Sequence, residues 1–497
     1  MLFSSVFDRA SVFATIVLYA ALTRQAKKTP NKTAVVGERR SLTWAQLRRE
    51  VDANAAYLKQ LGIGIEDRLL VGIPPSPEFY IFFYAASALG ATVVPVSPSA
   101  KFPAQFLESR PVLAAGSREF LDHCSKNGST LRLNVLWSPT DGLRVPEPAK
   151  PFRRRRAMRQ EQAIAVSSSG TTGTPTICFQ SAELLLERGK LKASVLGVTP
   201  DDVLLSIRPF NNGSSINNHV IVPLVKGCKV VVHERFERFK TIDAIACERV
   251  TILYAVALVF ELLASVPSSH PVDFSSLRLC ISGGGPLSKY IYDRFHQRFA
   301  IWIRQRYGAT QIIPAFTYNM AGVPGAVGQV SGPFPVGVVT ERNRPARPEQ
   351  IGEVVFNVSK FAAKWQRFFH RHPHRRGRFI YTGDLGRLDK DGNLFIVGRK
   401  SSFIKVGGNR VEAAEVENTL RTHPKVKEAS VFPIRAGQID EAVGAAVISA
   451  GKVEQRELIE YCSERLDSYK CPRQIEFKKS LPRNENGKVI QRFKSSW

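Results

Sequence analysis

From residue 163 onward, short runs of β-branched residues alternate with longer stretches of helical spacing, and this alternation constrains the fold more than any other feature of the chain. The runs VLLSI (203–207), KVVVH (229–233), VTILYAV (250–256) and LRLCISG (277–283) are nearly continuous in apolar residues, as strands covered on both faces are. Between them KTIDAIACER (240–249) and SKYIYDRFHQRF (288–299) read as helices. Parallel strands need a crossover long enough to hold a helix, so the pattern predicts α/β layering with much parallel pairing. Binding sites in such sheets lie in the loops beyond the C-terminal ends of the strands. Toward the C-terminus, VEAAEVENTLRTHP (411–424) and VEQRELIEYCSERL (453–466) read as helices, with VKEASVFPI (426–434) and EAVGAAVIS (441–449) as strands. They form a separate small unit, whose boundary is expected at Gly398-Arg399, after a turn at Asp391-Gly392. The expected domains are therefore 1–398 and 399–497. There is no repeat of fixed period, and the Pro- and Arg-rich residues 140–162 read as a surface crossing.

Composition narrows the function classes. With 44% hydrophobic and 23% charged residues the 497-residue chain is globular rather than disordered. Lys and Arg number 70 against 43 Asp and Glu, and the formal charge of +27 favours an anionic partner: a nucleic acid, a membrane surface, an acidic protein, or a nucleotide or coenzyme A. Neither basic cluster, Arg153 to Arg156 with Arg159 or HRHPHRRGR (370–378), is interleaved with aromatic platforms or preceded by a reading helix. Both read as solvated loops, and nucleic acid is not an expected partner. The histidines of HRHPH have Pro373 among them and no cysteine or carboxylate close by, so no metal site is expected there. The seven cysteines are scattered without a C-x-x-C pair, which fits reduced thiols and a cytoplasmic location. Ala10 to Leu22 is apolar for thirteen residues, short of the roughly 18 that span a bilayer, and reads as an amphipathic or buried helix. Tyr80 to Val96 reads as a helix running into a buried strand, and no integral membrane segment is expected.

Three small-residue loops follow this framework: SSSGTTGTP (167–175) after AIAV, SGGGPLS (282–288) after LRLCI, and YGATQ (307–311) after an Arg-rich stretch read as helix. Nine of the ten residues from Ser167 to Thr176 are Ser, Thr or Gly, a composition shared by linkers and phosphate cradles. The loop is not a Walker A sequence, which needs Lys after its second Gly where this chain has Thr174 after Gly173. Backbone N–H groups with the hydroxyls of Ser169, Thr171 and Thr172 could still hold phosphate.

The segment Ser168-Ser169-Gly170-Thr171-Thr172-Gly173-Thr174-Pro175 resembles the phosphate-binding signature of the adenylate-forming superfamily, which includes acyl- and aryl-CoA synthetases, peptide-synthetase adenylation domains and luciferase. Further segments resemble the family in the same order: Leu42 to Leu47, LGATVVPVSP (89–98), Ser282 to Leu287, Tyr307-Gly308-Ala309-Thr310, Gly352-Glu353-Val354, Tyr381-Thr382-Gly383-Asp384-Leu385, Gly398-Arg399, Lys405 to Glu412 with Glu415 to Glu417, and Leu481-Pro482-Arg483 with Gly487-Lys488. The resemblance runs from about residue 20 to the end. It implies a large N-terminal multi-sheet α/β domain joined by a hinge to a small C-terminal α+β domain.

It also implies a reaction. A carboxylic acid is joined to ATP with release of pyrophosphate, and the acyl group of the resulting acyl-adenylate passes to a thiol, coenzyme A or the arm of an acidic acyl or peptidyl carrier protein. Carried over by motif position, Lys488 bridges the carboxylate and the α-phosphate, where two anions must meet. Ser169, Gly170, Thr171, Thr172 and Gly173 hold phosphate. Gly284, Gly285 and Pro286 with Gly308 border the adenine on which Tyr307 stacks, and Thr310 contacts phosphate. Asp384, assisted by Arg399, accepts from the ribose hydroxyls. Lys405, Gly407 and Gly408 face the pantetheine arm of the thiol. ATP and Mg²⁺ are the expected cofactors, with coenzyme A as co-substrate.

The chain departs from the family pattern at four places. Thr176 and Ile177 replace the usual Lys and Gly of the phosphate loop, Gln311 replaces the Glu that helps hold Mg²⁺, and Ser401-Ser402 replace charged hinge residues. RPFNNGSSINN (208–218) has Asn where a His is common, and Asn211, Asn212, Ser214 and Ser215 are candidates for lining the acid pocket. Three functions remain in play at this point: an acyl- or aryl-CoA ligase, a ligase that loads a carrier protein, and a degenerate member that binds nucleotide without catalysis.

Overall fold

The strands expected at 203, 229 and 250 form Val203–Ser206, Lys229–Val232 and Ile252–Ala255, and they pair in parallel with Val203 opposite Lys229 and Leu204 opposite Ile252. The computed structural model describes residues 17–65, 67–98, 109–127, 133–138, 142–144, 163–167, 177–267, 269–270, 272–308, 312, 315–329, 334–369, 372, 374–400, 403–406, 409–436, 440–483 and 489. By its internal contacts the chain divides into two compact units, Met1–Leu253 with Val272–Leu277, and Tyr254–Pro271 with Arg278–Trp497.

In the first unit the parallel strands are extended by Thr33–Val36, also parallel, and closed at the edge by the antiparallel strand Ser41–Thr43. Helix Arg238–Cys247 makes the crossover between two of them, as its sequence spacing predicts. A second sheet is centred on Arg68–Gly72, with Thr92–Pro95 and Leu113–Gly116 parallel to it on either side. The apolar stretch from Tyr80 is helix Pro77–Ala88, capped by Ser76 and started by Pro77, followed by the buried strand Thr92–Pro95. Ile164–Ser167 and Ile177–Gln180 pair antiparallel with Ser167 opposite Ile177, so the Ser/Thr/Gly loop connects the two arms of a hairpin. The loop itself, 168–176, lies outside the described residues. Helix Val17–Lys28 buries Leu18 and Leu22, in line with a buried amphipathic helix, and the residues before it are outside the described range. Gly142–Arg144 pairs antiparallel with Leu133–Ser138, so part of the presumed crossing is strand, and residues 145–162 are not described.

In the second unit Leu279–Gly283 and Ile303–Tyr307 are parallel, with Cys280 opposite Ile303 and helix Lys289–Phe299 between them. One expectation fails here. The Arg-rich residues before YGATQ are a strand, because Ile303 and Gln305 turn inward while Arg304 and Arg306 alternate outward, a period of two that the charges obscure. A mixed-length antiparallel sheet follows, in the order Gly328–Gln329, Asn393–Arg399, Phe379–Leu388, Gly352–Asn357, Val336–Val339. The C-terminal part has Val426–Ala436 antiparallel to Asp440–Ser449, which is parallel to Gln474–Phe477. Helices Ala413–Thr422 and Gln455–Ser463 supply Val416, Leu420 and Leu458 to its core. Val411 and Glu412, expected to be helical, instead end the strand Asn409–Glu412, where their backbone pairs with Ile404 and Phe403.

Among the described residues no helix is long and apolar enough to cross a membrane, and no group of three or more His, Cys, Asp or Glu could hold a metal ion. The sheet around Gly352 is drawn tight: a Cβ there would stand 2.3 Å from the Val339 carbonyl oxygen and 2.9 Å from Val338 Cγ1. Because the first obstacle is backbone, Gly352→Ala is expected to destabilise the chain by about 1–3 kcal/mol, read as a lower urea midpoint at unchanged slope.

Candidate functional site

Strand Phe379–Leu388 loses register against Gly352–Asn357 at one point. Tyr381 stands opposite Val355 and Leu385 opposite Glu353, so Thr382, Gly383 and Asp384 share the space of Val354. Such a bulge bends its strand and re-aims side chains, and it takes backbone groups out of the ladder. Side chains replace the lost bonds. Thr382 Oγ1 donates to the Val354 carbonyl at 2.9 Å and accepts from the Asp384 N–H at 3.1 Å. The Gly383 N–H donates to Glu353 Oε1 at 3.2 Å, and the Gly383 carbonyl accepts from the Lys400 N–H at 2.9 Å. Gly383 has φ +74°, the left-handed conformation that favours glycine.

The bulge presents Asp384 directly opposite Arg399 of the neighbouring strand Asn393–Arg399. Arg399 Nε donates to Asp384 Oδ1 at 2.8 Å, and the Tyr307 hydroxyl donates to Asp384 Oδ2 at 2.6 Å. Asp384 is buried, 6% exposed, so this carboxylate is screened little by water. Burial, followed by the Asp384 charge, pushes the Tyr307 phenol well above its usual value, and it remains a donor at every physiological pH. The Tyr307 ring lies parallel to Phe356, centroids 6.5 Å apart. Each carboxylate oxygen offers a second lone pair, so Asp384 can accept from two neighbouring hydroxyls while keeping both partners.

Strand pairing adds the glycine loop to this group. Gly283 stands opposite Arg306, which brings Gly284 to the level of Tyr307 at the C-terminal ends of two parallel strands. Gly284 has φ +92°, and Gly285 has nothing within 4 Å of where a Cβ would stand. Gly284, Gly285 and Pro286 are exposed, and Ser288 caps the helix that follows, accepting from the Ile291 N–H at 3.3 Å. The structure therefore gathers Tyr307, Gly308, Asp384, Arg399 and the Gly284 to Pro286 loop in one place. Ser169, Gly170, Thr171, Thr172, Gly173, Thr176, Thr310, Gln311, Ser401, Ser402, Gly407, Gly408 and Lys488 lie outside the described residues, as does the side chain of Lys405. Arg483 and Val489 form an antiparallel bridge, and Arg483 pairs with Glu428.

In the first unit the four candidates for an acid pocket lie together, engaged with one another. Asn212 caps the short helix Gly213–Ile216, its Oδ1 accepting from the Ser214 and Ser215 N–H groups at 3.1 and 2.9 Å. Its Nδ2 donates to Ser215 Oγ at 3.0 Å and to Asn211 Oδ1 at 3.3 Å, while Ser214 Oγ accepts from Asn218 at 3.3 Å. The helix continues as a π-helical turn, Asn217–Ile221, a distortion often found at functional sites. Two residues that the sequence reading passes over are buried here. Lys192 Nζ donates to Asn218 Oδ1 at 2.7 Å, and His219 Nδ1 lies 3.2 Å from the Ser215 carbonyl. Lys192 gives no signal in the sequence, since a Lys on a helix is ordinarily solvated; only packing places it inside.

Burial, with the Arg208 charge next, lowers the His219 pKa to about 3 from 6.5, so the ring is neutral in the folded chain. The unfolded chain takes up this proton first as pH falls. The stability is whole above pH 6.5 and is lost progressively below it, down to the folded value. Near pH 5 the loss from this group is expected to reach about 2 kcal/mol, seen as a fall in the urea midpoint relative to pH 7 that His219→Gln diminishes.

The sequence model of the family described as "AMP-binding enzyme" matches residues 22–360, and that of the "AMP-binding enzyme C-terminal domain" matches residues 415–488. A feruloyl-CoA synthase from Amycolatopsis is 26% identical, with 94% of this chain and 96% of that protein covered. An indoleacetate–CoA ligase from Aromatoleum aromaticum is also 26% identical, covering 94% and 95%. Among solved structures, ATP-bound MatB from Rhodopseudomonas palustris shares the fold at TM-score 0.79 and 23% identity, covering 95% of this chain and 97% of that one. The anthranilate CoA ligase AuaEII, in complex with anthranoyl-AMP, does so at TM-score 0.80 and 23% identity, covering 95% of each chain.

Proposed function

This chain belongs to the family of AMP-binding enzymes, and on that premise we propose that it is an acid–thiol ligase that activates an acyl or aryl carboxylic acid with ATP and transfers it to coenzyme A. A carboxylate oxygen attacks the α-phosphorus, the bond to the bridging oxygen breaks, and pyrophosphate leaves. The thiol sulfur then attacks the acyl carbonyl of the adenylate, and AMP leaves.

The observation that carries this reading is the triad of Tyr307, Asp384 and Arg399, a buried carboxyl acceptor held between a phenol and a guanidinium. Asp384 takes the two ribose hydroxyls, and Tyr307 lies against the adenine beside the open backbone of Gly284 and Gly285. Ser169 to Gly173 cradle phosphate through backbone N–H groups and hydroxyls, and Thr310 adds a hydroxyl. Lys488 neutralises the charge where carboxylate meets phosphate. Lys405, Gly407 and Gly408 lie on the thiol side, with the domain boundary at Gly398-Arg399, between the stretches matched by the two family models. Mg²⁺ would accompany ATP, and of this chain's residues Gln311 would offer it a neutral oxygen. Coenzyme A is preferred over a carrier protein because the relatives are named as CoA synthases and ligases. The free cysteines fit a cytoplasmic enzyme.

Exchange of labelled pyrophosphate into ATP, screened across carboxylic acids, tests the reading. Exchange dependent on one class of acid, and lost in a Lys488→Ala control, is the expected result. Absence of exchange with every acid, alongside intact ATP binding, would leave a nucleotide-binding protein without catalysis. A second measurement compares thioester formed with coenzyme A and with a carrier protein. Product with the carrier alone would replace the acceptor named above.

A further inference from the structure

The bulge that aims Asp384 depends on a residue to which no role has been given. Gly383 precedes Asp384, and a glycine moves freely between conformations unless its backbone is tied. Its carbonyl is tied to the Lys400 N–H at 2.9 Å. Its N–H is tied to a side chain, Glu353 Oε1 at 3.2 Å. The other oxygen of that carboxylate accepts from Lys400 Nζ at 2.9 Å, and the Glu353 side chain is only 13% exposed. Glu353 thus joins both strands that carry the site, holding Gly383 on one and the residue after Arg399 on the other. Among the described residues it bonds Gly383 and Lys400, not Asp384 or Tyr307.

We propose that Glu353 is the positioning residue for ribose recognition: by holding the Gly383 N–H it fixes the left-handed turn that points the Asp384 carboxylate at the nucleotide hydroxyls. The inference rests on the reading of Asp384 as the ribose acceptor. A rotation at Gly383 would swing the next carboxylate away from Arg399 and Tyr307, and hydrogen-bonding sites tolerate displacements of only about half an ångström. Lys400 is secondary, since its backbone tie to Gly383 persists without its side chain. Loss of the Gly383 tie should therefore weaken contacts to the ribose hydroxyls and leave those to base and phosphate in place.

The test compares binding of ATP with that of dideoxy-ATP, which lacks both ribose hydroxyls, to the full-length chain in the presence of Mg²⁺. The unaltered chain is expected to prefer ATP by roughly a hundredfold or more, the worth of two hydrogen bonds to a charged group. Glu353→Ala should bring the two affinities to within about threefold of each other by weakening ATP alone. Glu353→Gln keeps an oxygen for the Gly383 N–H, and Lys400→Met keeps Glu353, so both should retain most of the preference. A general loss of structure would lower both nucleotides equally, and circular dichroism checks folding. If Glu353→Ala does not fold, Glu353→Met, of similar volume and without an acceptor, replaces it. Full preference for ATP in a folded Glu353→Ala or Glu353→Met chain overturns the inference and leaves the ribose reading standing. No preference in the unaltered chain overturns both.

Discussion

Replacing Asp384 by alanine is expected to lower kcat/KM for ATP in pyrophosphate exchange by about 10²–10⁴-fold, chiefly through KM. Hydrogen bonds to a charged group are worth about 1.5–3 kcal/mol each, and two ribose hydroxyls are lost together. The substitution also strips the Tyr307 hydroxyl and the Arg399 guanidinium of the acceptor they share. Because Arg399 is part-exposed, water can replace its partner, and the damage should fall on nucleotide binding more than on folding. Asp384→Asn tests the charge separately. It preserves one oxygen but places an NH₂ group against a donor, and should recover only part of the loss. Steady-state exchange with ATP varied, beside a thermal melt of each variant, measures the two effects. An unchanged KM in a folded Asp384→Ala chain would remove the ribose assignment.

Lys488→Ala is expected to lower kcat for adenylate formation by about 10²–10³-fold while the dissociation constant for ATP changes little. That is the usual loss when one group stabilising transition-state charge is removed. Two anions must come together at the α-phosphate, and a cation there acts most strongly once the carboxylate attacks. The effect should be larger here because Thr176 stands where the phosphate loop would carry a second cation. Thr176→Lys is the complementary measurement, expected to tighten ATP binding without restoring the rate in Lys488→Ala. Pre-steady-state formation of the acyl-adenylate reads the first effect and nucleotide titration the second. Equal rates for Lys488→Ala and the unaltered chain would make Lys488 a solvated surface residue.

The sequence was legible where a single local rule decided the outcome. The runs at 203, 229, 250 and 277 became strands because apolar, β-branched stretches of that length fit a pleated, buried surface. The helix from Lys289 to Phe299 followed its own spacing and its Ser288 cap. It failed at Ile303–Tyr307, where arginines alternating with Ile303 and Gln305 resembled a helical charge pattern. It was blind to Lys192 and His219, since a buried lysine and a buried neutral imidazole look on paper like surface groups.

The chain's order of residues by itself determined the family, the α/β layering, and that the SGGGPLS loop follows a buried strand, while the strand before YGATQ was found only in the fold. The layering follows from spacing along the chain, and the family from the resemblance of its ordered motifs to the adenylate-forming pattern. Tyr307, Asp384 and Arg399 were also named from their motifs, Tyr307 for the adenine and Asp384 with Arg399 for the ribose. That they form one hydrogen-bonded group, and that Glu353 and Thr382 hold the turn presenting it, was decided only by tertiary structure. The reason is the register of three strands. Asp384 reaches Arg399 because a hairpin sets them opposite, and it is aimed because Thr382, Gly383 and Asp384 bulge over Val354. Neither the bulge nor the side chains that satisfy its backbone can be read from residues that stand far apart in sequence and meet only across the sheet.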